Sequence, residues 1–436
     1  MHFPTTVEDH PVIQEAVRRL DALGDPRFGR TLVRCLDDTL ARTIRAMPDG
    51  TAFVVTGDIP AMWLRDSTTQ MFPYLALLRD DPALQDLLLA VMRRQFAQIA
   101  HNPYANAFNA EPSGRAHDEA DLCDDPLVWE EKYEVDSLAL PLLLAARFWA
   151  ATGRTDHLAQ VVGAAHTVVG VWRTEQDHAT RSAYRFVRAG GPASDTLERA
   201  GRGTPVARTG MTWSGFRPSD DACVYGYNVP ANLCASAALD GLVRMARHVG
   251  DHDLAAEARQ LAGELRAAVA RHGTVRRAPH GTFYAYEVDG LGNALLTDDA
   301  NMPGLLSLPL VADIAPDDPL YRATRAFVLS AANPTWYSGT AAAGVGSPHT
   351  PPDHIWPIAI AVEALTCDAP ARRVEALRTL NDTDAGTGAM HESFHKDDPS
   401  RFTRPWFSWA NAMYAELALD VAGLGTRALW SRGGHA

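Results

Sequence analysis

The 436-residue chain is short of cysteine, has no surplus of positive charge and carries none of the glycine-rich motifs that cradle phosphate. Its five cysteines (Cys35, Cys123, Cys223, Cys234, Cys367) are scattered, odd in number and free of CxxC spacing. That excludes a zinc-ribbon pattern and fits reduced thiols, so a cytoplasmic location is expected. Acidic residues outnumber basic ones by 53 to 40, for a net charge of −13. Nucleic acid is therefore not an expected partner, because gripping phosphates takes a basic face. No apolar run reads as a membrane span, and the first twenty residues lack the basic-then-apolar order of a signal peptide. No GxGxxG follows a strand, and there is no Walker loop and no GxSxG elbow, so no cofactor is expected.

What is present is helix. Apolar residues make up 46% of the chain, and they recur at helical spacing, as Leu32, Leu36, Leu40 and Ile44 do. The periodicity predicts helices over 11–23, 28–46, 67–79, 83–100, 135–152, 155–174, 229–249, 252–271, 300–312, 319–332, 355–366, 370–381 and 405–424. Residues 274–298 alternate and predict a short hairpin turning near Gly290. The recurring unit is a helix, a short turn such as Gly153-Arg154 or Gly250-Asp251, a second helix and a longer loop. About six such pairs fit, at roughly 70 residues each. Their poor mutual similarity argues against an open solenoid and for an all-α closed toroid in one domain, its long loops and short hairpins gathered at one end.

Those loops hold the polar residues that sit among aromatics. The stretch Thr209–Asn232 places Asp220 and Asp221 beside Arg217, Trp213, Phe216, Tyr225 and Tyr227. Paired acids with aromatics suit a sugar, which offers hydroxyls at its edge and C–H groups on its faces. The same residues would also serve as a helix cap over packed aromatics. Other loops add Asp58, Trp63, Arg65 and Asp66; Glu130, Tyr133, Glu134 and Asp136; Asn301 and Met302; His349 and Trp356; and His391, Glu392, His395, Arg404 and Trp409. Six such loops converging at one end predict a single pocket.

His391-Glu392-Ser393-Phe394-His395 matches the zinc-binding HExxH spacing. Glycines before it and Pro399 after it predict a loop rather than the helix that would set both imidazoles on one face, so no metal is expected. Paired carboxylates then point to glycoside hydrolysis, in which one carboxyl protonates the leaving oxygen and another activates water or attacks carbon. Adjacent side chains point apart, so the partner of the Asp220/Asp221 pair is sought on a separate loop, at Glu392.

The segments GDIPAMWLRDS, TWSGFRPSDDA, DDANMPGLLSLP and MHESFHKDDPSRFTRPWFSWANA, spanning about Gly57 to Asn411, resemble glycoside hydrolase family 125. The resemblance implies an (α/α)6 barrel and a metal-independent, inverting exo-α-mannosidase that prefers terminal α-1,6-linked mannose. It implies a general acid in the Ser219-Asp220-Asp221 motif, at Asp220, and a general base at Glu392. Asp221 would tune the acid, and Arg65 and Asp66 would bind the terminal mannose. Asp58, Trp63, Tyr133, Glu134, Asp136, Trp213, Arg217, Asn301, Met302, His349, Trp356, His395 and Trp409 are expected wall positions. The acid is expected to be held protonated by burial and by its neighbouring carboxylate. The expected partner is a mannose-containing oligosaccharide, and the expected assembly a monomer or weak homo-oligomer. The alternatives are a metal-independent exo-α-glucosidase, a metallohydrolase and a non-catalytic glycan binder.

Overall fold

The structure, a computed structural model, describes residues 3–119 and 121–430. Helix starts and stops follow local chemistry. Asp81, Asn228, Asp251 and Asp318 cap helix N-termini by accepting backbone N–H groups through their side chains. Proline occupies a first-turn position of the helices Pro82–His101, Pro357–Leu365 and Pro370–Asp382, where its missing N–H costs nothing. Gly153 and Gly250 end two long helices in the left-handed conformation, φ 71° and 85°.

Six helical segments form an inner ring: Leu64–Thr69 continued by the 3₁₀ turn Phe72–Ala76, then Val135–Thr152, Val229–Val249, Leu308–Val311, Pro357–Leu365 and Ser408–Val421. Ser408–Val421 packs back on Leu64–Thr69 and closes the ring. Outside lie Pro82–His101, Leu158–Glu175, His252–His272, Pro319–Val328, Pro370–Asp382 and Arg27–Asp38. This is the (α/α)6 barrel. The two rings differ as their burial demands. Val135–Thr152 is buried from Val135 to Phe148 and apolar nearly all round, whereas Pro370–Asp382 buries only Ala376, Leu377, Leu380 and Asn381. By length and composition Val135–Thr152 could cross a membrane. That corrects the sequence expectation that no run approaches such a length; the helix is apolar because it sits inside the barrel.

Other corrections are local. The helix expected over 28–46 stops at Asp38, passes through a π turn and becomes the strand Ile44–Ala46, paired with Ala52–Val54. The one expected over 300–312 shrinks to Leu308–Val311. Strand pairing in 274–298 is twofold: Thr274–Arg277 with Gly281–Tyr284, and Glu287–Val288 with Ala294–Leu295, only the second turning near Gly290.

Small sheets lock the loops at one end of the barrel. Met62–Trp63 pairs with Ala107–Phe108, which pairs with Val128–Glu130. His354–Ile355 pairs with Ser393–His395, which pairs with Asp398–Thr403. Gly57 joins the first loop to the last: with φ +143°, it lies so close to Trp406 that a Cβ would stand 2.3 Å from the Trp406 carbonyl oxygen.

Candidate active site

A cavity of about 240 Å³ opens among these loops. Trp63, Arg65, Asp66, Asp220, Asn301, His349, Trp356, Glu392 and Trp409 all line it, so one site unites residues spread over nearly 350 positions of sequence. The sheet holding Trp63 delivers Arg65 at the start of an inner helix. Asp220 sits at the tip of a tight turn in which Arg217 N–H donates to the Asp221 carbonyl (2.8 Å) and Asp220 N–H to the Arg217 carbonyl (2.9 Å). Its φ of +68° is unusual for a residue with a side chain. Glu392 precedes the strand Ser393–His395, its N–H donating to the Thr403 carbonyl (3.3 Å).

Arg65 organises the charges. Its Nη1 donates to Glu134 Oε2 (2.6 Å) and Asp136 Oδ2 (3.3 Å), its Nη2 to Asp220 Oδ1 (2.8 Å), and its Nε lies 3.6 Å from Asp66 Oδ2. Asn106 Nδ2 also donates to Asp220 Oδ1, at 3.3 Å. Burial would push the Asp220 carboxyl up, but Arg65 and then Lys132 outweigh it and hold the carboxyl well below the usual range. This reverses the expectation of a protonated Asp220. Burial instead raises the Glu134 carboxyl far above its ordinary value despite Arg65. It raises Asp66 and Asp136 to about 6.

Elsewhere in the cavity lining, Arg404 Nη1 lies 3.6 Å from Glu392 Oε1 while its Nη2 holds Asp58 Oδ1 at 2.6 Å. His349 Nδ1 lies 3.1 Å from Asp221 Oδ1. Burial lowers the affinity of His349 for a proton, yet the hydrogen bond to Asp221 prevails and lifts it to about 9.

Several residues expected at the wall stand elsewhere. Asp58 is at the rim in its ion pair with Arg404, and Glu134 and Asp136 are buried behind Arg65. Tyr133 and Trp213 pack together, with Trp213 stacked on His178 at 3.6 Å between ring centres. Arg217 faces away from the cavity, its Nε 2.5 Å from Glu287 Oε1 in a buried ion pair. Asp221 reaches the cavity only through His349, and Met302 is buried in the core cluster. His395 meets the His354 ring edge-on, while His391 stacks on Phe402. Ser393–His395 being a strand, the two imidazoles do not share a helical face.

Ser219 of the predicted acid motif also lines the cavity, and residues not singled out beforehand join it: Ile59, His117, Lys132, Asp195 and Thr350. Lys132 Nζ lies 2.7 Å from Asp195 Oδ1 and 3.4 Å from Glu130 Oε1. Arg188 ties the same segment down, donating to Asp121 (2.8 and 2.6 Å) and to Glu130 (2.8 Å). A lysine between acids in the aromatic run Trp129–Tyr133 was the available signal for Lys132. Four polar groups of the wall, Trp63 Nε1, Trp409 Nε1, Arg65 Nε and Ser219 Oγ, are buried without a hydrogen-bond partner among the described residues.

Two carboxylates from separate loops, Asp220 and Glu392, in one cavity at the loop end of an (α/α)6 barrel make the arrangement that a glycoside hydrolase needs. Residues 25–419 match the family of metal-independent α-mannosidases, glycoside hydrolase family 125, and the chain belongs to that family. It is similar to a Streptococcus pneumoniae metal-independent α-mannosidase solved in a non-productive complex with α-1,6-mannobiose. The two share 42% identity at a TM-score of 0.92, over 94% of this chain and 97% of the other. It is 37% identical to the meiotically up-regulated gene 157 protein of Schizosaccharomyces pombe, over 92% of this chain and 83% of that protein. A bacterial glucoamylase bound to acarbose, 12% identical with a TM-score of 0.61 over 95% of this chain and 58% of its own, shares the fold.

Proposed function

We propose that this α-mannosidase acts from the non-reducing end on α-1,6-linked mannose, inverts the anomeric centre, and works in the cytoplasm. The observation that carries the reading is that Asp220 and Glu392, from loops 172 positions apart, line one small polar cavity. At about 240 Å³ the cavity lies below the roughly 300–1,000 Å³ of ordinary ligand pockets, which suits one terminal sugar better than an internal stretch of chain. Asn301, Asp66 and His349, which line the cavity, are suited to meet its hydroxyls. The α-1,6 preference is supported by the disaccharide bound to the Streptococcus pneumoniae relative. Free cysteines at all five positions support a reducing compartment.

In this mechanism a proton passes from the Asp220 carboxyl to the glycosidic oxygen as the C1–O bond breaks. Glu392 takes a proton from a water that attacks C1 from the opposite face. Arg65 fixes the orientation of the acid, and Arg404 that of the base. Cationic His349 lines the same cavity and favours the ionised form of Asp220.

The test is turnover of α-1,6-, α-1,3- and α-1,2-linked mannobiose and of the matching glucobioses, each with excess chelator. Release of mannose fastest from the α-1,6 disaccharide supports the reading. Faster release of glucose, or loss of activity in chelator that zinc restores, would overturn it.

A further inference from the structure

Four carboxylates, Glu134, Asp136, Asp220 and Asp66, surround the single guanidinium of Arg65, three of them within 3.3 Å. The Glu134 and Asp136 side chains are fully buried and that of Arg65 nearly so. Four negative charges gathered on one guanidinium, those of Glu134 and Asp136 fully buried, would be costly even with Lys132 acting on Asp220, so the cluster must hold protons. Their location follows from contacts. Asp136 Oδ2 accepts from Arg65 Nη1. Glu134 Oε2 accepts from Arg65 Nη1 and from Ser137 Oγ (2.7 Å), whereas its Oε1 meets no donor. Glu134 and Asp220 share one guanidinium, Glu134 on Nη1 and Asp220 on Nη2, and two carboxyls gathered on one cation are relieved when one of them carries a proton. Lys132 acts on Asp220 from the cavity side and favours its ionised form. Glu134 is ion-paired with Arg65 alone among the described residues and sits at the buried head of the helix Val135–Thr152.

We propose that Glu134 is the proton reservoir of the general acid: the Glu134–Asp220 pair keeps one shared proton, resting on Glu134 in the empty site and moving to Asp220 when a mannoside is bound. The inference rests on the reading of Asp220 as the acid. The balance is simple. The Glu134 carboxyl gives its proton to Asp220, which gives it to the leaving-group oxygen as the C1–O bond breaks. Glu392 takes one proton from the attacking water. After the products leave, the Glu392 proton returns through solvent to the Glu134–Asp220 pair. Asp220 can thus lie against an arginine and a lysine and still serve as an acid at neutral pH. Glu134 acts through Asp220 and is a positioning residue that also stores the proton.

The experiment compares wild type with Glu134→Gln on two substrates, α-1,6-mannobiose and 2,4-dinitrophenyl α-mannoside, whose leaving group departs without protonation. Glu134→Gln should lower kcat on mannobiose by about 10²-fold or more and on the aryl mannoside by less than about tenfold, with the alkaline limb of the mannobiose pH profile moved to lower pH. Equal losses on both substrates with an unmoved profile would overturn the proposal. If the variant does not fold, wild type labelled with ¹³C at glutamate carboxyls decides. The infrared spectrum at pH 7 should contain a protonated-carboxyl band that shifts with the label, and its absence would overturn the proposal. A wild type that hydrolyses neither substrate would refute instead the reading of the site.

Discussion

Arg65 Nη2 lies 2.8 Å from Asp220 Oδ1, joining residues 155 positions apart. The same guanidinium holds Glu134 and Asp136. Replacing Arg65 with Met should therefore do more than remove a sugar contact. It leaves buried carboxylates without their cation, which costs about 3–5 kcal/mol. The melting temperature should fall at pH 7 and recover partly at pH 5, where the carboxyls can protonate. Thermal melts at both pH values check this.

The cluster also sets a pH dependence for the wild type. Burial raises Asp66 and Asp136 to about 6 from an ordinary 3.8. A carboxyl whose folded-state affinity for protons is raised gives stability that is full below about 4 and is lost as pH rises through 6. Asp220 runs the other way: with its folded pKa depressed, its contribution is present above about 4 and is lost only under strong acid. Glu134, raised further still, and Asp298, raised to about 7, add to the same trend, so stability should decline by several kcal/mol between about pH 4 and 7. Asp136→Asn should remove only a part of that decline in urea unfolding across the range.

Asp220→Asn should fold normally, because asparagine tolerates the left-handed φ of +68°. Turnover of mannobiose should fall by about 10²–10⁴ with little change in KM, the mark of a lost acid. A large rise in KM at unchanged kcat would assign Asp220 to binding alone.

His349 should titrate near 9 because Asp221 faces its Nδ1 at 3.1 Å. Asp221→Asn should bring that midpoint down by more than one unit, seen in the imidazole proton resonances. With His349 raised, its cationic form, and the stability tied to it, persists below about 6.5 and is lost as pH passes 9.

Most of the barrel was legible because paired helices carry strong periodicity and explicit ends, such as Asp81, Gly153 and Gly250. Its failures came at short inner segments: Leu308–Val311 is a single turn, and the turn signal Pro303-Gly304 inside 300–312 was passed over. In the site, Arg65, Asp220 and Glu392 stood out as charged residues among aromatics, and all three line the cavity. Trp213 and Arg217 carried the same signal but spend it on packing and on Glu287. An aromatic or an arginine in a polar loop does not reveal which side of the loop it faces. The charge state of Asp220 was misread for a related reason. Sequence puts it beside Asp221, which made repulsion look dominant, whereas folding puts it against Arg65 and near Lys132. Asp195 and His117 come from segments whose convergence only the tertiary structure reveals, whereas Lys132 carried a signal that was passed over.

The most direct test of the account is to follow α-1,6-mannobiose by proton NMR from the first minute of hydrolysis in excess chelator. β-Mannose should appear first and then mutarotate, which requires a water held for Glu392 opposite Asp220. α-Mannose as the first product would mean retention and would contradict the assignment of Asp220 and Glu392 as an inverting acid and base.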